Sequence, residues 1–184
     1  MNAGNGRERV ILVDATDTPV GTADKLEAHR AGRLHRAFSV FVFNHRGELL
    51  LQRRATGKYH SGGLWSNSCC SHPRPGEETE AAARRRLVEE MGFSCPLETV
   101  SAMVYRADVG GGLIEHEYDH LLIGRWSGRP SPDPAEVEDW RWMAMDSLRR
   151  EVALHPRRFT YWFRAALREL EDRALIPGRN HRVA

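Results

Sequence analysis

A stretch of glycines and short polar residues from 53 to 75 runs straight into the clearest helical pattern of the chain. No other feature constrains the fold as much. Over residues 77–91, Ala83, Leu87 and Met91 recur at four-residue spacing, which places them on one face of an α-helix, and Gly92 supplies a stop. A connection longer than about 15 residues inside a compact domain usually has a binding or catalytic task. The segment is therefore expected to be loop, with brief strands around Trp65, and to carry function.

The rest of the chain reads as mostly short strands with one further helix. Residues 1–9 are a polar lead-in, 10–13 a strand, and 17–21 a turn containing Pro19. Residues 38–43 and 48–52 flank Asn44-His45-Arg46-Gly47, a hairpin pattern. Strands are expected at 100–106, 113–123 and 140–145, with Gly110-Gly111-Gly112 as a turn and 131–134 as a loop. Phe159, Trp162, Phe163, Ala166, Leu167 and Leu170 make the apolar face of a C-terminal helix. No internal repeat or linker interrupts residues 10–184. They are expected to form one α/β (α+β) domain with a mixed sheet.

Composition narrows the function classes. Lys+Arg 27 against Asp+Glu 25 gives +2, so no global field points to nucleic acid. Only Lys25 and Lys58 are lysines. From Arg150 onward eight arginines and four acids give a local +4, the pattern of a solvated helix face. No apolar run approaches the 18 or so residues that span a bilayer, and the N-terminus lacks an apolar signal core, so no membrane insertion and a cytoplasmic location are expected. Cys69, Cys70 and Cys95 are an odd number, expected as free thiols in a reducing compartment.

Chemistry-bearing residues fall in separated segments. His29, His35, His72, Glu115 and Glu117 would together make a mixed N/O site suited to a divalent ion such as Mn²⁺, Mg²⁺, Fe²⁺ or Zn²⁺. Glu115 and Glu117 at i and i+2 share one face of a strand, while His116 points away. The alternative is the solvent face of an edge strand flanked by Asp119. Cys70 could be a nucleophile or a proton carrier, but local sequence does not rank it against Cys69. Arg85-Glu89 and Arg86-Glu90 are i,i+4 pairs on a helix, which need no function beyond surface pairing. Trp162 lies on the apolar helix stripe, where a core role is the simpler account.

Several of these motifs, in this order, resemble one known family. Cys70-Ser71-His72-Pro73, Gly76-Glu77 and the run from Arg85 to Phe93 resemble the Nudix box as altered in type I isopentenyl-diphosphate isomerases. Glu77, Arg85, Leu87, Glu89, Glu90 and Gly92 keep the box spacing, with Arg86 where a hydrolase has a glutamate. Ala28-His29, Arg33-Leu34-His35, Trp65-Ser66-Asn67-Ser68 and Glu115-His116-Glu117 extend the likeness from about Val10 into the C-terminal helix. There are departures. The His29–His35 interval is one residue short, and Tyr59-His60-Ser61-Gly62 lacks a tryptophan-proline pattern. Ser71 replaces a glycine, at a cost in stability if its φ were positive.

The resemblance implies a Nudix-type α/β/α sandwich and an isomerase that converts isopentenyl diphosphate to dimethylallyl diphosphate through a tertiary carbocation. It makes His29, His35, His72, Glu115 and Glu117 ligands of a primary divalent ion (Mn²⁺, Mg²⁺ or Zn²⁺). It assigns Glu117, assisted by Tyr105, to protonation and Cys70 to proton removal from the opposite face. Trp162 would face the cation. Lys25, Arg54, Lys58 and Arg86 would surround the diphosphate, and Glu90 would serve a diphosphate-associated Mg²⁺. The partner is then a small allylic or homoallylic diphosphate, and the protein a monomer that binds no nucleic acid. Two alternatives stand beside it: a Nudix hydrolase of nucleoside diphosphate derivatives, and a silent domain that binds diphosphates or a protein.

Overall fold

The computed structural model describes residues 8–177; the expected lead-in lies outside these up to residue 7, as does the tail beyond 177. Arg9, assigned to that lead-in, instead opens the first strand. Strands β1 (Arg9–Val13) and β2 (Pro19–Asp24) pair antiparallel, with Arg9 opposite Asp24. The turn lies earlier than the expected 17–21, closed by the Asp17 N–H on the Asp14 carbonyl at 3.1 Å, and Pro19 is already the first residue of β2, where its missing N–H costs no ladder bond. Helix α1 (Lys25–Ala31), not anticipated from the sequence, follows at once. Asp24 caps it by accepting from the Glu27 N–H at 3.1 Å.

Strand β3 (His35–Phe43) is the axis of the sheet. Its hairpin partner β4 (Glu48–Arg54) registers with it only at Phe43–Leu49. Beyond that point each strand takes other partners. Strand β5 (Trp65–Ser66) pairs with β4, and β6 (Cys69–Ser71) pairs with β3, placing Cys70 opposite Ser39. After helix α2 (Thr79–Met91) come two long strands: β7 (Leu97–Gly110), 14 residues where 100–106 was expected, and β8 (Leu113–Arg125), 13 residues that extend the expected 113–123 by two. Strand β8 runs parallel to β3, with His35 opposite Glu117. Because β7 covers its other side, β8 is interior, not an edge. Strand β9 (Val137–Ala144) pairs with β4. Helix α3 (Met145–Leu154), also unanticipated, takes up Met145, and α4 (Tyr161–Asp172) is the C-terminal helix. Phe159 precedes α4 and bridges to Trp65.

Alternation along β3 divides the interior. Phe41 and Phe43 face α4, packing with Trp162, Phe163, Ala166, Leu167 and Leu170. Phe38, Val40 and Val42 face α2, packing with Ala82, Ala83, Leu87 and Met91. Helices on both faces of one mixed sheet make the expected sandwich. Burying side chains such as Phe41 or Leu87 contributes about 1.5–3 kcal/mol each.

Helix α2 begins at Thr79 with Glu78 as its N-cap, two residues later than its pattern suggested. Glu77 is instead held outside by Arg85 and the Arg74 N–H. The helix stops at Gly92, whose φ of 75° is left-handed and whose Cβ, if present, would lie 2.3 Å from the Ser131 carbonyl oxygen. Ser71 has no such constraint: it lies in β6 opposite Phe38 without positive φ, so its expected penalty does not arise.

Candidate active site

Four segments converge on one buried cluster. Helix α1 supplies His29, β3 begins with His35, the turn out of β6 carries His72, and β8 presents Glu115 and Glu117. One ligand atom from each of the five lies within 4.8 Å of all the others, and all five residues are buried. The short His29–His35 interval does not prevent this; their ring centroids are 4.8 Å apart.

The hydrogen-bond pattern fixes the tautomers. His29 Nδ1 donates to the Lys25 carbonyl at 2.7 Å, and His35 Nδ1 donates to the Arg33 carbonyl at 2.8 Å. In the neutral rings each Nε2 is then a lone pair turned inward. His29 Nε2 faces Glu115 Oε2 at 3.2 Å, and neither atom has a hydrogen-bond partner. Burial disfavours the charged ring, yet Glu115 holds His29 above the ordinary histidine range, so these two buried atoms attract positive charge between them. His35 Nε2 and Glu117 Oε1 stand 3.2 and 2.9 Å from His72 Nε2. Burial, with Lys25 and the neighbouring imidazoles, pushes His72 well below the ordinary histidine range, which favours its neutral, ligating form. The group is consistent with divalent-metal binding.

Beside the cluster lies a cavity of about 40 Å³, lined by Cys70, Tyr105, Glu117, Trp162 and all four basic candidates, Lys25, Arg54, Lys58 and Arg86. Tyr105 donates to Glu117 Oε2 at 2.6 Å. Burial alone would raise the Glu117 carboxyl, but His35 and Tyr105 outweigh it and hold the group at about 2. Cys70 is partly exposed, and Cys69 faces the α2 core. Burial pushes the Cys70 thiol up to about 12, although Arg54, whose Nη1 is 3.9 Å from Sγ, pulls the other way. Trp162 donates from Nε1 to Ser66 Oγ at 3.0 Å, and its ring face is covered by the Arg54 guanidinium at 5.2 Å.

Three of the four basic candidates are paired with carboxylates. Arg86 donates to Glu89 and Glu90, each at 2.7 Å, and lies 3.2 Å from Glu136. Lys58 closely contacts the same Glu136, and Lys25 pairs with Glu8 at 3.0 Å. Glu90 stands apart from the five-residue cluster; its second oxygen accepts from Gln52 at 3.1 Å. Three site residues were not found from the sequence. Glu136 has no local signal. Asp119, read there as flanking a solvent face, is fully buried and accepts from Ser39 Oγ at 2.9 Å; alternation with Glu115 and Glu117 was the available clue. His60, noted only as part of a departing loop, is buried against Glu115.

Comparison with known proteins identifies the family. The family model of the NUDIX domain matches residues 33–163. An isopentenyl-diphosphate Delta-isomerase of Burkholderia multivorans is 54% identical over 170 residues, covering 92% of this chain and 94% of its own. Isopentenyl-diphosphate Delta-isomerase 2 of Aromatoleum aromaticum is 54% identical over 160 residues, covering 87% and 85% respectively. Among solved structures, a MutT protein from Methanosarcina mazei has a TM-score of 0.63 at 15% identity, covering 77% of this chain and 95% of its own. That likeness concerns the fold alone. With the sequence identities and the domain match together, this chain belongs to the NUDIX family and, within it, to the isopentenyl-diphosphate Delta-isomerases.

Proposed function

We propose that the protein interconverts isopentenyl diphosphate and dimethylallyl diphosphate by adding a proton on one side of a short alkene and removing one on the other. The observation that carries this reading is that Cys70 and Glu117, on strands flanking β3, line one cavity together with the basic residues. An unactivated alkene is a poor base, so its protonation needs a placed acid, a dry wall and a face that tolerates positive charge.

In the forward direction Glu117, steadied by Tyr105, adds the proton and Cys70 removes one from the opposite face. The surrounding groups by themselves favour the converse state, with the Glu117 carboxyl lowered and the Cys70 thiol raised. That is the state left after a forward turnover and the one that begins the reverse reaction. Resetting it requires proton exchange, so solvent hydrogen should enter the product. Trp162 offers its electron-rich ring to the cation, worth roughly 0.5–2 kcal/mol. Arg54, now over that ring, turns to the diphosphate with Lys25, Lys58 and Arg86.

The orphaned Nε2 of His29 and Oε2 of Glu115 support a divalent ion, Mn²⁺, Mg²⁺ or Zn²⁺, held by His29, His35, His72, Glu115 and Glu117. Bound there, it would withdraw charge from Glu117 and so help set how firmly that group holds a proton. Glu90, whose two oxygens accept from Gln52 and Arg86, would hold a diphosphate-associated Mg²⁺ once Arg86 turned to the substrate. The cavity of about 40 Å³ is small, and turning of lining side chains such as Arg54 and Arg86 would enlarge it for the substrate. The reading takes residues 10–184 as one domain of a cytoplasmic monomer. Among the described residues, no helix is long and apolar enough to cross a membrane.

Proton NMR of isopentenyl diphosphate with the protein and Mg²⁺ in D₂O tests the proposal. A shifted double bond with deuterium entry and no phosphate release supports it. Release of phosphate, or conversion without deuterium entry, refutes it.

A further inference from the structure

The two cluster carboxylates are held in matching ways. In Glu117, Oε2 is fixed by the Tyr105 hydroxyl at 2.6 Å while Oε1 faces the imidazoles of His72 and His35. In Glu115, Oε1 lies 2.9 Å from Nε2 of His60, and Oε2 is turned without a hydrogen-bond partner towards His29. His60 therefore stands to Glu115 as Tyr105 stands to Glu117.

The direction of the His60 contact follows from the donor inventory. A carboxylate oxygen only accepts, so Nε2 carries the hydrogen. A neutral ring then leaves Nδ1 as an acceptor, and Ser61 Oγ stands 3.2 Å from it. The ring itself is well braced. It meets Trp162 edge-on at 5.6 Å and Tyr59 at 4.3 Å, and Arg54 Nη2 donates to the His60 carbonyl at 3.3 Å. The side chain is 4% exposed, so water does not compete freely for Nε2.

We propose that His60 is a positioning residue for the divalent-ion site, its Nε2–H pinning one oxygen of Glu115 so that the other is presented to the ion. The inference rests on the reading of the five-residue cluster as a metal site. The terminal torsion of a glutamate is broad. Without a donor on Oε1, the Glu115 carboxylate would rotate away from the direction of His29. Loss of a hydrogen bond supporting a ligand commonly lowers metal affinity by about 10–100-fold.

The test is the dissociation constant for Mn²⁺, measured by chelator competition on the whole chain, for wild type, His60→Ala, His60→Phe and His60→Gln. Phenylalanine keeps a ring against Trp162 without a donor, and glutamine restores an N–H near the place of Nε2. Alanine and phenylalanine should weaken binding by about 10–100-fold, with glutamine within about threefold of wild type. Circular dichroism confirms folding, and if the alanine variant fails to fold, the phenylalanine–glutamine contrast decides. Wild-type affinity in His60→Phe, or equal losses in the phenylalanine and glutamine variants, overturns the positioning role and leaves the metal reading intact. A wild type that binds no Mn²⁺ at the cluster removes both.

Discussion

The proton on Cys70 can be tested without substrate. At pH 7.5 a thiol pushed up to about 12 is ionised to roughly 3 parts in 100,000, against about 9% for an ordinary thiol near 8.5. That is a deficit of about 3,000-fold in the reactive species. A more basic thiolate attacks faster, by roughly 25–60-fold over 3.5 units at a Brønsted slope of 0.4–0.5. The net expectation is alkylation by iodoacetamide about 50–120-fold slower than a free cysteine peptide. Cys69 and Cys95 are buried, so mass spectrometry of briefly treated native protein reports on Cys70. The rate should also climb about tenfold per pH unit through pH 10 without a plateau. Alkylation at the rate of a free thiol, or a plateau near pH 8.5, would show a populated thiolate and refute the proton inventory proposed for the site.

Substitution at the two cysteines should separate their roles: Cys70→Ala should lower kcat by about 10²–10⁴-fold, the usual scale of a proton-transfer group, while Cys69→Ala costs about 1 kcal/mol of stability with near-normal turnover. Steady-state kinetics and denaturant melts decide, and the reverse pattern defeats the assignment. Arg86→Ala should raise KM for isopentenyl diphosphate by about tenfold or more, the equivalent of one charge-assisted bond; unchanged KM and kcat would end its anion role. Glu77 accepts from Arg85 at 2.7 and 2.8 Å, and this pairing holds its carboxyl below the ordinary 4.5. Its stabilisation is present above that value and is lost as pH falls through the lower folded-state value. Glu77→Gln should therefore lower Tm by about 2–8 °C at pH 7, for a loss of about 1–2 kcal/mol, with the two melting curves converging as pH falls through the lowered folded-state value. A gap that persists at low pH would contradict this.

Local pattern and tertiary placement can be separated residue by residue. The α2 stripe of Ala83, Leu87 and Met91 and its Gly92 stop were legible because helical period and a left-handed cap are properties of a few adjacent residues. The shared face of Glu115 and Glu117 was legible for the same reason. Helix α1 escaped notice because its seven residues are too few to show a period, and α3 because Leu148 is its one fully buried residue. The β3–β4 hairpin was only half legible, since its strands separate after one registered pair to admit β5 and β6.

The site divides along the same line. Taken alone, the amino-acid order determined the inventory: which imidazoles, carboxylates, thiols and guanidiniums exist, which strand neighbours share a face, and which family the spacing resembles. Tertiary structure decided convergence. Strand β3 lies between β6 and β8, so segments some 45 residues apart, carrying His72 and Glu117, meet at 2.9 Å. The same packing turns Cys69 into a core and Cys70 into the cavity, buries Asp119, and sets His60 against Glu115. Such contacts depend on the register between distant strands, which no local period encodes.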